Sequence, residues 1–388
     1  MEIKPTPLDY SDRLSQKYSC HVFLKREDTH KPIGSVKIRS VYHKISQLPD
    51  LIRERGVMTA SDPTFSLCLS YCCQLLRIKH RIYLPLYTPI HIKQKLQSIG
   101  HPYITICEDG QNYDDCMHTA QWKSLDNGMY FIHPFDDQEI IDGYSEIAKE
   151  INQLMVPDII LVPVSGGGLI SGIMSSISSE TKVYGVEYEN NKNLTNALQS
   201  NETNESEHRY DCTKLGNLPM TICRLNKPEV IRLDENQVAY TLQELHDEDK
   251  LITSMNGCMS IAGLEQIKSI LVDKTVVCLM TDSNINISEY PIIQMKSDIW
   301  VGLTYYFIVS FPQKPNMLRF FTTNIKNDDD DIIRFSYLKK SNSMFGSVLI
   351  GIKLGSHTNL DRLKTNMKKN GFGYKRIKPD DPYYDYLV

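Results

Sequence analysis

The chain has 388 residues, 41% of them hydrophobic, and this length can bury a sizeable core in two or three domains. Its formal net charge of −4 provides no bulk attraction to nucleic acid or to an anionic membrane surface. No apolar run approaches the roughly 18 residues that span a bilayer, and the start MEIKPTPLDY lacks the apolar core of a secretory signal. We therefore expect a cytoplasmic protein that acts on a small molecule, without nucleic-acid or membrane partners.

Strand-like and helix-like segments alternate through most of the chain, a pattern typical of parallel strands joined by crossover helices. The polar stretch 190–213, rich in Asn, Glu and Ser, is predicted to be a surface loop or insertion within this region. The sequence thus indicates an α/β fold for residues 1–296. The predicted strands are residues 21–25, 81–86, 103–107, 129–132, 159–164, 182–187 and 275–280.

The pattern changes after about Asp298, where strands and helices follow the order βαββα with a further strand at the end. This order is the split βαβ pattern of a small ferredoxin-like domain, and we place the domain boundary near Lys296. The run 327–331, with four aspartates, is predicted to be a solvated loop because the like charges repel one another. The predicted strands are 305–311, 332–339, 346–353 and 374–377, and the helices are 317–324 and 359–369.

The segment LKREDTHKPIGSVKIR, residues 24–39, contains the first candidate for chemistry, Lys37. A strand ends near Lys25, Ser35 can cap the following helix, and Lys37 lies in the first turn of that helix. The positive end of the helix dipole disfavours the ammonium form of this lysine, which predicts a larger fraction of free amine. A free amine can form an imine with an aldehyde cofactor; the alternative is a surface lysine whose charged end reaches solvent.

Three consecutive glycines, Gly166, Gly167 and Gly168, follow Ser165 between a predicted strand and a helical run that begins at Leu169. Their backbone can approach a ligand closely, and their amides at a helix N-terminus suit a phosphate group. The spacing matches neither the dinucleotide fingerprint GxGxxG nor the nucleotide P-loop. The alternative is a tight strand-to-helix turn, for which one glycine would suffice.

The two motifs resemble those of threonine dehydratases, in which a Ser-x-Lys motif holds pyridoxal 5'-phosphate and a glycine loop binds its phosphate. Residues 5–40 look like the opening of that family, SGGGLISG at 165–172 is similar to its glycine loop, and 133–151 resembles its Pro-Phe-Asp segment. The resemblance implies a two-lobed fold type II catalytic domain. It also implies that Lys37 binds the cofactor covalently, and that Ser165, Gly166, Gly167, Gly168 and Leu169 contact its phosphate.

The C-terminal part resembles the single ACT-like regulatory domain of the biosynthetic threonine dehydratases. The segments that carry this likeness are FPQKPNMLRFF at 311–321, FGSVLIGI at 345–352 and the last 18 residues, 371–388. With both parts, the resemblance covers nearly the whole chain. It implies isoleucine as an effector of the C-terminal domain, residues 297–388, and a homo-oligomer that is a dimer or a tetramer.

Further site residues follow from the resemblance alone. The Ser-x-Gly-Asn-His loop of the family corresponds here to SDPTF, residues 61–65, which places Ser61 and Asp62 at the substrate and Thr64 at the cofactor. Thr281 stands where the family has the hydroxyl that faces the pyridine nitrogen. Asn193 replaces the acidic ligand that a metal site of related racemases would need, so no metal is predicted.

The loop at 61–65 departs from the family in ways that affect its chemistry. Pro63 removes an amide donor, and Asp62 adds a negative charge that would repel a substrate carboxylate. Asp62 could act as an acid or base, or it could be a solvent-facing loop residue.

The resemblance implies a lyase that deaminates L-threonine, or L-serine, and yields 2-oxobutanoate and ammonia from threonine, the first step towards isoleucine. The altered loop leaves two alternatives open. One is a regulatory or binding protein that keeps the cofactor fold without efficient lyase activity, and the other is a racemase or another lyase acting on a hydroxy amino acid.

Overall fold

The computed structural model describes residues 3–199, 214–337, 344–378 and 381, and the chain divides into two compact units. Unit 1 comprises Met1–Asp234 and Lys250–Ile285, and unit 2 comprises Glu235–Asp249 and Asn286–Val388. The domain boundary near Lys296 stays a prediction. Among the described residues, no helix is both long and apolar enough to cross a membrane.

The strands and helices are numbered separately in chain order. The strands are β1 (Leu8–Tyr10), β2 (His21–Arg26), β3 (Val57–Ala60), β4 (His80–Leu84), β5 (Ile104–Glu108), β6 (Tyr130–Phe131), β7 (Ile159–Pro163), β8 (Lys182–Tyr188), β9 (Glu229–Leu233), β10 (Thr275–Met280), β11 (Thr304–Pro312), β12 (Asp331–Tyr337), β13 (Phe345–Lys353) and β14 (Gly373–Ile377). The helices are α1 (Asp12–Tyr18), α2 (Lys37–Ser46), α3 (Asp50–Arg55), α4 (Pro63–Leu75), α5 (Ile90–Gly100), α6 (Tyr113–Asn127), α7 (Gln138–Leu154), α8 (Gly168–Met174), α9 (Asn193–Gln199), α10 (Asn217–Asn226), α11 (Glu235–Asp247), α12 (Met259–Ala262), α13 (Leu264–Ile267), α14 (Tyr290–Val301), α15 (Met317–Asn324) and α16 (Asn359–Lys369).

Unit 1 contains two sheets whose strands are almost all parallel. The larger sheet has the order β1-β2-β10-β7-β8-β9, with only the edge strand β1 antiparallel to its neighbour, and the smaller has the all-parallel order β5-β4-β3-β6. Helices follow most of the strands, so each sheet is built from crossover connections. The predicted α/β class is confirmed, and the seven predicted strands are present with their ends displaced by at most two residues.

The short strands β1, β3 and β9 were not predicted. β3 has the sequence VMTA, in which all four residues are buried, so it has no alternation of apolar and polar residues. A run this short cannot be told apart from a helical segment by its periodicity. β9 is the edge strand of the larger sheet and shows only a partial alternation.

The prediction of a loop at 190–213 is wrong for its first part, where residues 193–199 form helix α9. Glu187, at the end of β8, accepts hydrogen bonds from the amides of Leu194 and Thr195 at 2.8 and 3.2 Å. These bonds supply the acceptors that a helix start needs, and Leu194 is fully buried against Gly185. Residues 200–213 of the predicted loop lie outside the described residues.

Unit 2 contains a four-stranded antiparallel sheet of order β12-β13-β11-β14. Helix α15 connects β11 to β12, and α16 connects β13 to β14, so the observed sequence is βαββαβ, the split βαβ arrangement predicted for this part. Residues 338 and 339 of the predicted strand 332–339 lie outside the described residues, as do 379, 380 and 382–388 of the C-terminal match. The core of this unit is apolar and includes Phe307, Val309, Phe321, Val348, Ile350 and Leu363.

The acidic run before β12 is not uniformly solvated, which corrects the prediction for 327–331. Asp328, Asp329 and Asp331 are exposed, but Asp330 is buried. Its carboxylate accepts hydrogen bonds from the side-chain amides of Asn327 and Asn359, each at 2.8 Å, and from the amides of Asn327 and Gly355. Four donors compensate for the loss of water around this charge.

A buried cluster of charges fixes helix α2 in unit 1. The guanidinium of Arg39 donates to both carboxylate oxygens of Glu27, at 2.6 and 3.0 Å, and to both of Glu150, at 2.6 and 2.9 Å. Lys25 also donates to Glu150, and Thr6 to Glu27. Although burial alone would raise the pKa of Glu27, its bonds to His30 and Arg39 hold it at about 2.

We expect Arg39→Met to lower the free energy of unfolding by about 3–5 kcal/mol, because it leaves Glu27 as a buried carboxylate without its main partner. Lys149→Met is the control, since Lys149 is half-exposed and its ion pair with Glu146 is a surface pair worth less than about 1 kcal/mol. Urea denaturation measures both. Equal losses in the two variants would contradict a stabilising role for the cluster.

His80, at the start of β4, is a buried histidine held neutral. Its Nδ1 lies 3.2 Å from the carbonyl oxygen of Ile78, and its buried Nε2 has no partner among the described residues. Burial lowers its pKa from 6.5 to about 4. The unfolded chain therefore binds a proton at mildly acidic pH that the folded chain does not bind.

Because of His80, the free energy of unfolding should decrease as the pH is lowered. Its contribution is complete above about pH 6.5 and is lost as the pH falls towards 4, a change of about 3 kcal/mol for the depressed pKa. In urea denaturation at a series of pH values, His80→Leu should reduce this dependence by that amount, whereas His246→Gln, a half-exposed control, should retain it. A wild-type pH dependence in His80→Leu would show that another group is responsible.

Candidate active site

One cavity in unit 1 brings together most of the residues that the sequence singled out. Its wall includes Asp62 at the start of α4. Ser61 and Thr64 lie next to Asp62 in the chain but are not among the described residues that line the cavity. The predicted cofactor residues on the wall are Lys37, Ser165, Gly166, Gly167, Gly168, Leu169 and Thr281.

The end of strand β10 positions Lys37 at the cavity. The amide of Val36 donates to the carbonyl oxygen of Thr281 at 2.7 Å, and Ser35 forms an antiparallel bridge with Asp282. The hydroxyl of Ser35 accepts a hydrogen bond from the Lys37 amide at 3.3 Å, which satisfies one of the free N–H groups of the helix start. Lys37 thus begins α2 with its backbone fixed, and its side chain keeps about a third of its exposure, 32%.

The nearest charged group to Lys37 is Asp62, whose Oδ1 accepts a hydrogen bond from Nζ at 2.8 Å. Burial alone would lower the pKa of Lys37, but the charge and hydrogen bond of Asp62, with smaller effects of Tyr144 and Asp282, raise it above its usual range. The prediction of an increased fraction of free amine is therefore wrong for the protein without cofactor. A full negative charge in contact with the ammonium outweighs any effect of the helix start on its protonation.

Asp62 is not a solvent-facing loop residue. Its Oδ1 also accepts from the amides of Thr64 and Phe65, at 3.0 and 3.1 Å, so it caps helix α4, and the Ser61 hydroxyl donates to Oδ2 at 3.2 Å. Although burial alone would raise its pKa, the Lys37 charge and these hydrogen bonds lower it. Asp62 is thus an ionised carboxylate held in place by the helix start.

The glycine turn has two separate geometric requirements. Gly167 has φ of +89°, a conformation that other residues rarely adopt. A Cβ at Gly166 would lie 2.4 Å from the ring carbon Cγ of Phe135. Among the described residues, none accepts a hydrogen bond from the amides of Gly166, Gly167 or Gly168. The turn therefore offers N–H donors to an anion in the cavity.

Several cavity residues were missed by sequence reasoning. Tyr144 is buried on α7, and burial raises its pKa to about 12. Its helical spacing after Ile140 and Ile141 places it in the buried stripe of that helix, a signal that could have identified it. Asp282 directly follows Thr281, and burial raises its pKa. Only tertiary folding brings both of them to Lys37.

Comparison with known proteins identifies the family. Residues 1–282 match the model of the pyridoxal-phosphate dependent enzyme family. The chain belongs to this family. Residues 296–387 of this pyridoxal-phosphate dependent enzyme match the C-terminal regulatory domain of threonine dehydratase.

Curated relatives extend the likeness over the full length. The chain is 33% identical to the biosynthetic L-threonine dehydratase IlvA of Halalkalibacterium halodurans, over 99% of this chain and 95% of the relative. It is 31% identical to the protein of the same name from Bacillus subtilis, over 99% of this chain and 93% of the relative. The chain therefore belongs with the threonine dehydratases within its family.

Solved structures show the same fold. The processed form of threonine deaminase isoform 2 from Solanum lycopersicum aligns with a TM-score of 0.72 and 23% identity, over 76% of this chain and 84% of that one. Maize serine racemase aligns with a TM-score of 0.68 and 19% identity, over 77% and 94%. At these identities the likeness concerns the fold alone.

The cavity residues fit the cofactor of the family. Pyridoxal phosphate needs an amine for its aldehyde and N–H donors for its phosphate, and the cavity offers the Nζ of Lys37 and the three glycine amides. A Cβ at Gly166 or Gly167 would clash with Phe135 or Pro219, so the turn has no room for side chains. The donor set and the shape of the turn therefore suit this cofactor.

Gly167→Ala tests the turn. The left-handed conformation costs a residue with Cβ about 1–2 kcal/mol, and the new methyl group would also lie 2.7 Å from Cβ of Pro219. Gly128→Ala is the matched control, because Gly128 has φ of +65° with nothing within 4 Å. We expect Gly167→Ala to lose more stability in urea denaturation and to bind pyridoxal phosphate at least about tenfold more weakly, a loss of about 1.4 kcal/mol. Unchanged cofactor affinity would exclude the turn from the cofactor site.

Proposed function

We propose that this protein is a pyridoxal-phosphate-dependent threonine ammonia-lyase that deaminates L-threonine, and L-serine as a second substrate, to a 2-oxo acid and ammonia. The main observation in support of this proposal is that the amine of Lys37 and the glycine turn line one cavity. Full-length similarity to curated proteins named biosynthetic L-threonine dehydratase supports the choice of substrate. Threonine yields 2-oxobutanoate, which places the reaction at the entry to isoleucine synthesis.

Several cavity residues have a proposed role in holding the cofactor. Lys37 would bind its aldehyde, Ser165 and the amides from Gly166 to Leu169 would bind its phosphate, and the hydroxyl of Thr281 would face its ring nitrogen. That hydroxyl lies 3.3 Å from the carbonyl oxygen of Asn256, which orients it at the cavity wall. Thr64 remains a predicted cofactor contact, and Ser61 and Asp62 remain predicted substrate contacts.

The chemistry divides between cofactor and protein. Pyridoxal phosphate, when bound, supplies a ring that accepts electrons from the substrate Cα. The amine of Lys37 would take the Cα proton at Nζ, as a general base within the cavity. The glycine amides and the buried walls orient the reactants and exclude water, which favours loss of the β-hydroxyl over side reactions.

The C-terminal part of the chain, residues 296–387, has a proposed regulatory role. Residues 296–387 match the regulatory domain of threonine dehydratase, and we propose that this domain binds an amino-acid effector, isoleucine. By the same resemblance we propose a homo-oligomer, a dimer or a tetramer, located in the cytoplasm.

The central test uses Lys37→Ala. The purified wild-type protein should show the visible absorption band of lysine-bound pyridoxal phosphate and form 2-oxobutanoate from L-threonine. Lys37→Ala should lose the band and at least about 10²-fold in rate, because the covalent attachment and the general base are both removed. Lys149→Ala, at an exposed position on α7, is the control and should keep both.

Other outcomes identify the alternatives. A wild-type protein without bound cofactor would contradict the proposal. Bound cofactor without 2-oxo acid from threonine or serine would favour a binding protein, a possibility that the Lys37–Asp62 ion pair raises. D-Serine formed from L-serine would identify a racemase.

A further inference from the structure

The contact between Lys37 and Asp62 is built into the ends of two helices. Lys37 is the first residue of α2, and Asp62 is the cap of α4, so the backbones that carry both side chains are fixed. The two carboxylate oxygens of Asp62 have further donors, the amides of Thr64 and Phe65 and the hydroxyl of Ser61. Because these bonds orient the carboxylate, its contact with Nζ is set by the fold.

Asp62 is also the dominant charged neighbour of Lys37. The other titratable groups that act on this lysine or are acted on by it come from four elements of unit 1. Unlike those groups, Asp62 is hydrogen-bonded to Nζ of Lys37 in the described part of the chain. Its effect on the pKa of Lys37 is larger than those of Tyr144 and Asp282. These other groups are Cys68 on α4, Tyr113 on α6, Tyr144 on α7 and Asp282 after β10.

We propose that Asp62 is a positioning residue that holds Nζ of Lys37 as an ammonium group in the cofactor-free protein, so that covalent loading of the cofactor must first break this ion pair. The inference rests on the proposed function for the identity of the cofactor. The retention of the proton by Lys37 is a property of the protein alone.

The loading step shows why the proton matters. The ammonium of Lys37 first loses one proton to solvent. The lone pair of the neutral amine then forms a bond to the aldehyde carbon, and the aldehyde oxygen leaves as water with the two remaining protons of the nitrogen. The rate of loading therefore follows the fraction of neutral amine, which Asp62 reduces. One unit of pKa changes that fraction tenfold at any pH well below the pKa.

Helix α2 offers a matched control in Lys44. Its Nζ pairs with Oδ2 of Asp137 at 2.8 Å, and Asp137 caps helix α7 through the amides of Glu139 and Ile140. Like Asp62, Asp137 is a helix cap that pairs with a lysine of α2, but Lys44 also pairs with Glu139, and Asp137 does not line the cavity. Asn caps helices about as well as Asp, so Asp62→Asn and Asp137→Asn each remove a charge and keep a cap.

The first test is independent of the cofactor. The full-length chain, freed of cofactor, is labelled with acetic anhydride between pH 7 and 9.5, and mass spectrometry of peptides gives the labelling rate of Lys37. Acetic anhydride reacts with the neutral amine, so Asp62→Asn should raise the rate at pH 8 by at least about tenfold and shift the pH profile to lower pH. Asp137→Asn should leave the Lys37 profile unchanged. A wild-type profile in Asp62→Asn would overturn the proposal.

The second test measures loading of pyridoxal phosphate by the growth of its absorption band. Asp62→Asn should load faster than wild type near neutral pH, and the ratio of the two rates should fall towards one at high pH. Asp62→Ser, a second capping residue without charge, should behave in the same way. Slower loading in both variants would show that Asp62 assists attachment, and would overturn the proposal.

The experiments distinguish the proposed function from the role of Asp62. No band in the wild-type protein at any pH would contradict the proposed function, while the labelling experiment would still decide the role of Asp62. A normal band whose growth is identical in wild type and Asp62→Asn would leave the proposed function intact and overturn the role of Asp62 alone. Urea denaturation of each variant excludes a general loss of folding as the cause.

Discussion

Three basic side chains of helix α2 each meet a carboxylate that another element supplies. Lys37 pairs with Asp62 of α4, Arg39 with Glu27 and Glu150, and Lys44 with Asp137 at the start of α7. Arg39 and Lys44 are almost fully buried, so their partners are needed to offset the loss of water. The position and direction of α2, and with it the place of Lys37 in the cavity, depend on these contacts.

The same contacts divide α2 into anchoring and reactive parts. The guanidinium of Arg39 uses four hydrogen bonds to two carboxylates, an arrangement that leaves it little freedom. Lys37, two residues earlier, has one short ion pair and keeps contact with the cavity. The helix can thus stay fixed while the amine of Lys37 exchanges one partner for another, which is what covalent attachment of a cofactor requires.

Local sequence patterns predicted much of this molecule. Apolar runs separated by turns gave the strands of both units, and the glycine turn and Lys37 were both found to line the cavity. These failures share a physical cause, since each depends on a polar contact that hydrophobic periodicity does not encode. Asp62 lies 25 positions from Lys37 and reverses its expected protonation, and Asp330 is buried because donors near Asn359 reach it. Helix α9 forms in a polar stretch because Glu187 supplies its cap.

Asp62 therefore has two roles that substitution can separate. As a cap it needs only an oxygen that accepts from the amides of Thr64 and Phe65, which a neutral asparagine or serine also provides. As the partner of Lys37 it needs its charge, because a nearby negative charge is what raises the pKa of this amine above its ordinary value. An aspartate at this position thus makes the lysine a poorer nucleophile before the cofactor arrives, at no cost to the helix that presents it. The stability of the fold and the readiness of Lys37 for attachment are then set by different properties of one side chain.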